Sequence, residues 1–134
     1  MQITNGDLCG TTSEGGSDAY GTVFCINPYN VKLTTLHTFG GTHADLPNGG
    51  LIQATDGNLC GTTQLGGASH WGNVFCLDSH GVLTTLHSFN LTNGAEPVAA
   101  LLQAAHGKLY GTASQGGADD YGGDYGGTIF EIIP

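Results

Sequence analysis

Residues 51–89 read LIQATDGNLCGTTQLGGASHWGNVFCLDSHGVLTTLHSF. Four short apolar stretches stand out: IQAT, NLCGTT, NVFCL and LTTLHSF. Their Val, Phe, Ile and Thr content favours an extended pleat. Turn residues separate them. Asp56-Gly57 is a two-residue hairpin signal, Gly66-Gly67 opens a loop, and Ser79-His80-Gly81 precedes the last stretch. No window carries an amphipathic helical period. The segment therefore reads as four antiparallel strands, and the chain as all-β.

The same pattern recurs on both sides. Residues 2–28, QITNGDLCGTTSEGGSDAYGTVFCINP, and residues 102–133, LQAAHGKLYGTASQGGADDYGGDYGGTIFEII, align with it. Cys9 and Cys60 lie 51 residues apart, and Cys60 and Tyr110 lie 50 apart. Asn5-Gly6 and His106-Gly107 stand where Asp56-Gly57 stands, and LTTLHTF from Leu33 matches LTTLHSF from Leu83. The chain divides into repeats over 1–50, 51–100 and 101–134, the last without its fourth strand. Four strands in a unit of about fifty residues is the blade of a β-propeller; a β-solenoid, with shorter repeats, is the competing architecture. The expected total is four, four and three strands, eleven in all.

The blocks at Leu51 to Thr63, Gly66-Gly67, Gly72 to Phe75 and Leu83 to Phe89, with their first-copy equivalents, resemble the GloVer tandem repeat. That resemblance implies a large secreted bacterial protein with no general enzymatic role. One position departs from it. The aromatic residue common after Leu in the NLYGTT block survives at Tyr110, but Cys9 and Cys60 replace it in the other copies.

Composition excludes several functions. Of 134 residues, 24 are glycine and only two are cationic, both lysines, against 11 acids, for a formal charge of −9. A nucleic-acid binder needs cations to neutralise phosphates, and this chain has almost none. Hydrophobic residues make up 39% and charged residues only 10%, unlike a disordered acidic tail. No stretch approaches the ~20 apolar residues of a membrane span. The opening MQITNGDLCG has neither the charged region nor the apolar core of a secretion signal.

The cysteines are spaced alike: Cys9 to Cys25 and Cys60 to Cys76. The third copy loses both together, with Tyr110 and Glu131 in their places. Joint presence and joint absence argue that the two positions touch, on strands two and three of each blade. Two cross-strand disulfides follow, with α-carbons about 5.5 Å apart. Four buried free thiols are the alternative. A zinc site would need closer ligand spacing such as C-x-x-C. Disulfides would place the protein in an extracellular or cell-surface setting.

The glycine-rich loops end in aromatic residues: Tyr20, Trp71, and Tyr121 or Tyr125. Projecting from one rim, they would form a platform for sugar rings; packing over their own glycines, they would cap the blade. Asp119, Asp120 and Asp124 supply oxygens that suit calcium, but no calcium-loop spacing surrounds them. No other cofactor or metal is indicated. His37 and His87 are repeat equivalents and read as structural, while His43, His70, His80 and His106 fall at unrelated places. No nucleophile–histidine–acid arrangement is evident, so the chain reads as a non-enzyme. Asn90-Leu91-Thr92 matches the three-residue glycosylation acceptor.

Equal repeat positions nominate a core of Leu8, Val23, Phe24, Leu36, Leu59, Val74, Phe75, Leu86, Leu109, Ile129 and Phe130. Fewer than three blades cannot close a propeller and leave open sheet faces. The expected function is an extracellular structural repeat whose partner is another copy of itself, added head to tail into a filament or a ring. A glycan-binding module is the alternative function. A longer propeller of which these residues are one piece is the alternative architecture.

Overall fold

The computed structural model describes residues 1–40, 46–117 and 126–134. It is all-β, with one 3-10 turn at Ala105–Gly107. Among the described residues, ten strands form three antiparallel sheets, none of them closed. The first sheet contains β1 (Leu8–Thr12), β2 (Thr22–Ile26) and β3 (Leu33–Thr38). The second is a four-stranded meander of β4 (Ile52–Gln53), β5 (Leu59–Thr63), β6 (Asn73–Leu77) and β7 (Leu83–Ser88). The third holds β8 (Leu102–Gln103), β9 (Leu109–Ala113) and β10 (Thr128–Ile132).

The strand expected at the start of the first copy is reduced to one bridge, Gln2 with Leu8. Two bonds between Met1 and Cys9 support it, the Cys9 N–H donating to Met1 O at 2.8 Å and the Met1 amine to Cys9 O at 2.7 Å. This leaves ten strands rather than eleven among the described residues. The hairpin turns also differ from expectation. Gly57 N–H donates to Ala54 O, and Ala54 N–H to Asn58 O, both at 2.8 Å. Only Gly57 has positive φ in that turn. The loop is therefore the three-residue form ending in a left-handed glycine, not a two-residue primed turn.

Each sheet presents one face to the next, because strand side chains alternate. Cys9, Val23, Cys25 and Phe39 of the first repeat pack on Leu51, Leu59, Phe75 and Leu77 of the second. Ala54, Cys60, Val74, Cys76 and Phe89 then pack on Leu101, Leu109 and Ala113 of the third. Neighbours Val74 and Phe75 thus enter different cores. Phe39 meets Phe75 edge-on with ring centroids 5.3 Å apart, and Phe89 meets Phe130 at 5.0 Å, a favoured aromatic geometry. Each LCGTT or LYGTA glycine lies opposite a phenylalanine: Gly10 with Phe24, Gly61 with Phe75, Gly111 with Phe130. A Cβ at Gly61 would lie 3.1 Å from Phe75 Cζ, so the ring occupies the space a side chain would need.

Of the nominated core, Val23, Leu59, Val74, Phe75 and Leu109 are buried. Phe24, Leu36, Leu86 and Phe130 are half-buried. Leu8 and Ile129 are exposed, because they face outward on the first and third sheets, where no further sheet among the described residues covers them. The core also includes Phe39, Phe89, Leu77, Pro47 and Pro97, which strand equivalence alone did not nominate.

Candidate functional site: sheet junctions and open end faces

Both cysteine pairs are disulfides, Cys9–Cys25 and Cys60–Cys76. Each joins directly opposed residues of the second and third strands of its repeat. The α-carbons are 4.1 Å apart, closer than the 5.5 Å expected. Cys9 directs its backbone N–H and carbonyl to Met1, away from Cys25. The pair is thus of the non-hydrogen-bonded kind, in which opposed residues approach more closely. Both bridges lie in the cores between sheets.

The third copy fills the same two positions with a polar trio. Lys108 Nζ donates to Glu131 Oε1 at 2.8 Å, and the Tyr110 hydroxyl donates to Glu131 Oε2. Hydrogen bonds from Lys108, then from Tyr110, hold the Glu131 pKa below the usual carboxylate value. The Glu131 bond in turn raises Lys108 and Tyr110 above theirs. The trio lies on the outward face of the third sheet with Ile129, which is 82% exposed; its equivalent, Val74, is 0% exposed. At the other end, Leu8, Phe24, Ile26 and Leu33 share the outward face of the first sheet through the pairs Leu8 with Ile26 and Ile26 with Leu33. Their equivalents Leu59, Phe75 and Leu77 are buried in the first core, with Leu83 packed beside it.

The junctions are tied by a repeated amide bridge. Gln53 Oε1 accepts from Thr4 N–H of the preceding repeat at 2.9 Å, while Gln53 Nε2 donates to Gly57 O at 3.4 Å. Gln103 does the same with Thr55 N–H at 2.9 Å and Gly107 O at 3.1 Å. Repeated linkers add to this. Leu46 N–H donates to Tyr20 O and Glu96 N–H to Trp71 O, at 3.3 and 3.0 Å. Gly72, at φ +96°, sits beneath Pro97, whose Cδ would lie 2.7 Å from an added Cβ; only glycine fits there.

Of the aromatic rim, Trp71 is half-buried against the second core and Tyr20 is exposed. Tyr121 and Tyr125 lie outside the described residues, as do His43 and the calcium candidates Asp119, Asp120 and Asp124. Among the described residues, no three His, Cys, Asp or Glu side chains are grouped to hold a metal. His37 and His87 stack edge-on against Phe39 and Phe89, at 5.1 and 4.8 Å. Burial lowers the His37 pKa, partly offset by a hydrogen bond with the Gly81 backbone. His80 lies 3.8 Å from Asp78 in an exposed turn, where the Val82 N–H chiefly lowers the Asp78 pKa. Asn90, exposed, accepts a bond from the Thr92 hydroxyl at 2.8 Å.

A cleft of about 460 Å³ between the first and second sheets went unnoticed in the sequence. Leu36, Leu59 and Leu77 contribute apolar lining, and Asp7, Lys32 and Asp78 the charges. Asn27, Asn30 and Lys32 of the six-residue turn after β2 also line it.

Stacked antiparallel sheets with repeated junction bonds define an all-β repeat protein. The chain belongs to the Gloeobacter/Verrucomicrobia repeat family, whose profile matches residues 1–134. No curated protein matches it. Among the described residues, no helix is long and apolar enough to cross a membrane.

Proposed function

We propose that the protein is a non-enzymatic structural module of propeller-type blades that extends end to end, the third sheet of one copy covering the first sheet of the next. One observation carries this reading: the outward faces of the end sheets present the repeat equivalents of side chains buried at the internal junctions. Leu8 is 42% exposed and its equivalent Leu59 is 5% exposed. Covering such a face removes apolar area from water at roughly 25 cal/mol per Å². A contact between two different faces is heterologous, so it closes a ring or propagates a filament according to its rotation. The low share of charged residues, 10%, suits a durable extracellular fibre. Two disulfides support an extracellular setting.

Light scattering with electron microscopy tests this. The expected result is a particle mass that rises with concentration, with filaments visible. A stable monomer at micromolar concentration would overturn the reading, and discrete rings would overturn the filament. Glycan binding through Tyr20 and the aromatic loops is the second function; retention on a glycan array that falls in Tyr20→Ala would favour it.

A further inference from the structure

The two internal junctions each contain one bond of the same kind. The glutamine that opens a repeat accepts, through Oε1, the backbone N–H two residues after its own position in the preceding repeat: Gln53 from Thr4, and Gln103 from Thr55. Two halves of a third such bond are left over. Gln2 is the opening glutamine of the first repeat, and its Nε2 already donates to Gly6 O at 3.1 Å, as Gln53 and Gln103 donate to Gly57 and Gly107. Its side chain is thus held in the same way, and Oε1 has no partner among the described residues. Ala105 is the third-repeat equivalent of Thr4 and Thr55, and its N–H likewise has none.

We propose that Gln2 of one copy accepts the Ala105 N–H of a second copy. This bond would fix the register of the end-to-end contact as that of the internal junctions. The inference rests on the end-to-end reading above and adds its contact residues. The occupant of the open first face is thereby specified as the third repeat of another chain. Two copies meeting first face to first face would bring two Gln2 acceptors together and leave both Ala105 donors unused. The contact is continuous with the junctions already present, because the same opening glutamine, held by the same glycine carbonyl, recurs in all three places.

A double-mutant cycle on the association constant of the full 134-residue chain, measured by sedimentation velocity, tests this. Gln2→Leu removes the acceptor. Ala105→Pro removes the donor at the first position of a short turn, where proline's fixed φ is tolerated; Ala104, at φ −91° and ψ 178°, already has the extended backbone proline requires before it. Each variant is expected to weaken association roughly threefold to tenfold, the worth of one hydrogen bond. The double variant should be no weaker than either single one. Mixing the two single variants should restore one wild-type contact, because the intact Ala105 of the first meets the intact Gln2 of the second. Circular dichroism identifies a variant that has lost its fold, and the mixing result then decides through the Gln2→Leu chain paired with wild type. Effects that multiply in the double variant, or no effect in a wild type that assembles, would overturn the bond while leaving end-to-end assembly standing. A wild type that stays monomeric would overturn both.

Discussion

Strands β1 and β5 carry the same five residues, LCGTT, in different surroundings. On one face they agree: Cys9 and Cys60 are both buried, each under the sheet that follows. On the other they diverge. Leu59 is covered by the first sheet, while Leu8 faces outward and is 42% exposed. Thr63, on that same face, is buried, whereas Thr12 is exposed. The five residues specify a strand and its two faces; a neighbouring sheet on each side decides what is buried. Identical sequence should therefore show unequal sensitivity to truncation, and the inequality should follow the faces.

The largest effect is expected at the phenylalanines. Phe75→Ala should cost about 3–5 kcal/mol, because the ring is fully enclosed over Gly61. Phe24→Ala, the equivalent on the uncovered face, should cost about 1–2 kcal/mol under conditions where the chain is monomeric. Urea denaturation of both variants measures the difference. Equal losses would break the comparison.

The disulfides should instead behave alike. Both join residues separated by 16 positions, and both lie on the covered face. Replacing either pair by alanine should cost about 3 kcal/mol in the chain-entropy model, the same for each. Thermal unfolding of the two double variants would show whether one bridge matters more.

The cysteine pairing was the part of the structure most legible in the sequence. Joint loss of both partners in the third copy is a contact signal that needs no coordinates. The four-strand meander of the second repeat was legible for a similar reason, since turn residues and β-branched runs mark it locally. Burial was less legible. Leu8 and Leu59 are the same residue in the same pentapeptide, so no local rule separates them. Phe39 and Phe89 stand in the repeated block but outside strand alternation, because they follow the last paired residues of their strands. Their backbone N–H groups turn back to Gly21 O and Gly72 O, and this places their rings between sheets. Pro47 and Pro97 recur fifty residues apart, and that interval was the overlooked signal.

A smaller inequality is expected for the next pair. Val74→Ala, on the covered face, should cost roughly 1.5–2.5 kcal/mol, the worth of two buried methyl groups with their cavity. Ile129→Ala, on the open third face, should cost under about 0.5 kcal/mol in the monomer. Values close to one another would mean that the third sheet is covered in the monomer.

The smallest effect concerns pH. Burial lowers the His37 pKa, so the unfolded chain binds a proton more readily than the folded one. Stability from this group is complete above the ordinary histidine pKa of about 6.5 and is lost as pH falls from there towards the folded value. His37→Phe should remove that part of the acid-side slope. Urea midpoints between pH 7 and pH 5 measure it, and identical slopes in both proteins would contradict the assignment.

Side-chain footprinting with hydroxyl radicals, followed as a function of protein concentration, tests the central claim most directly. At high dilution, Leu8, Phe24 and Ile129 should be oxidised and Leu59, Phe75 and Val74 spared. As concentration rises, Leu8, Phe24 and Ile129 should approach the protection of their buried equivalents together. Unchanged oxidation of those three across the whole range would contradict the account.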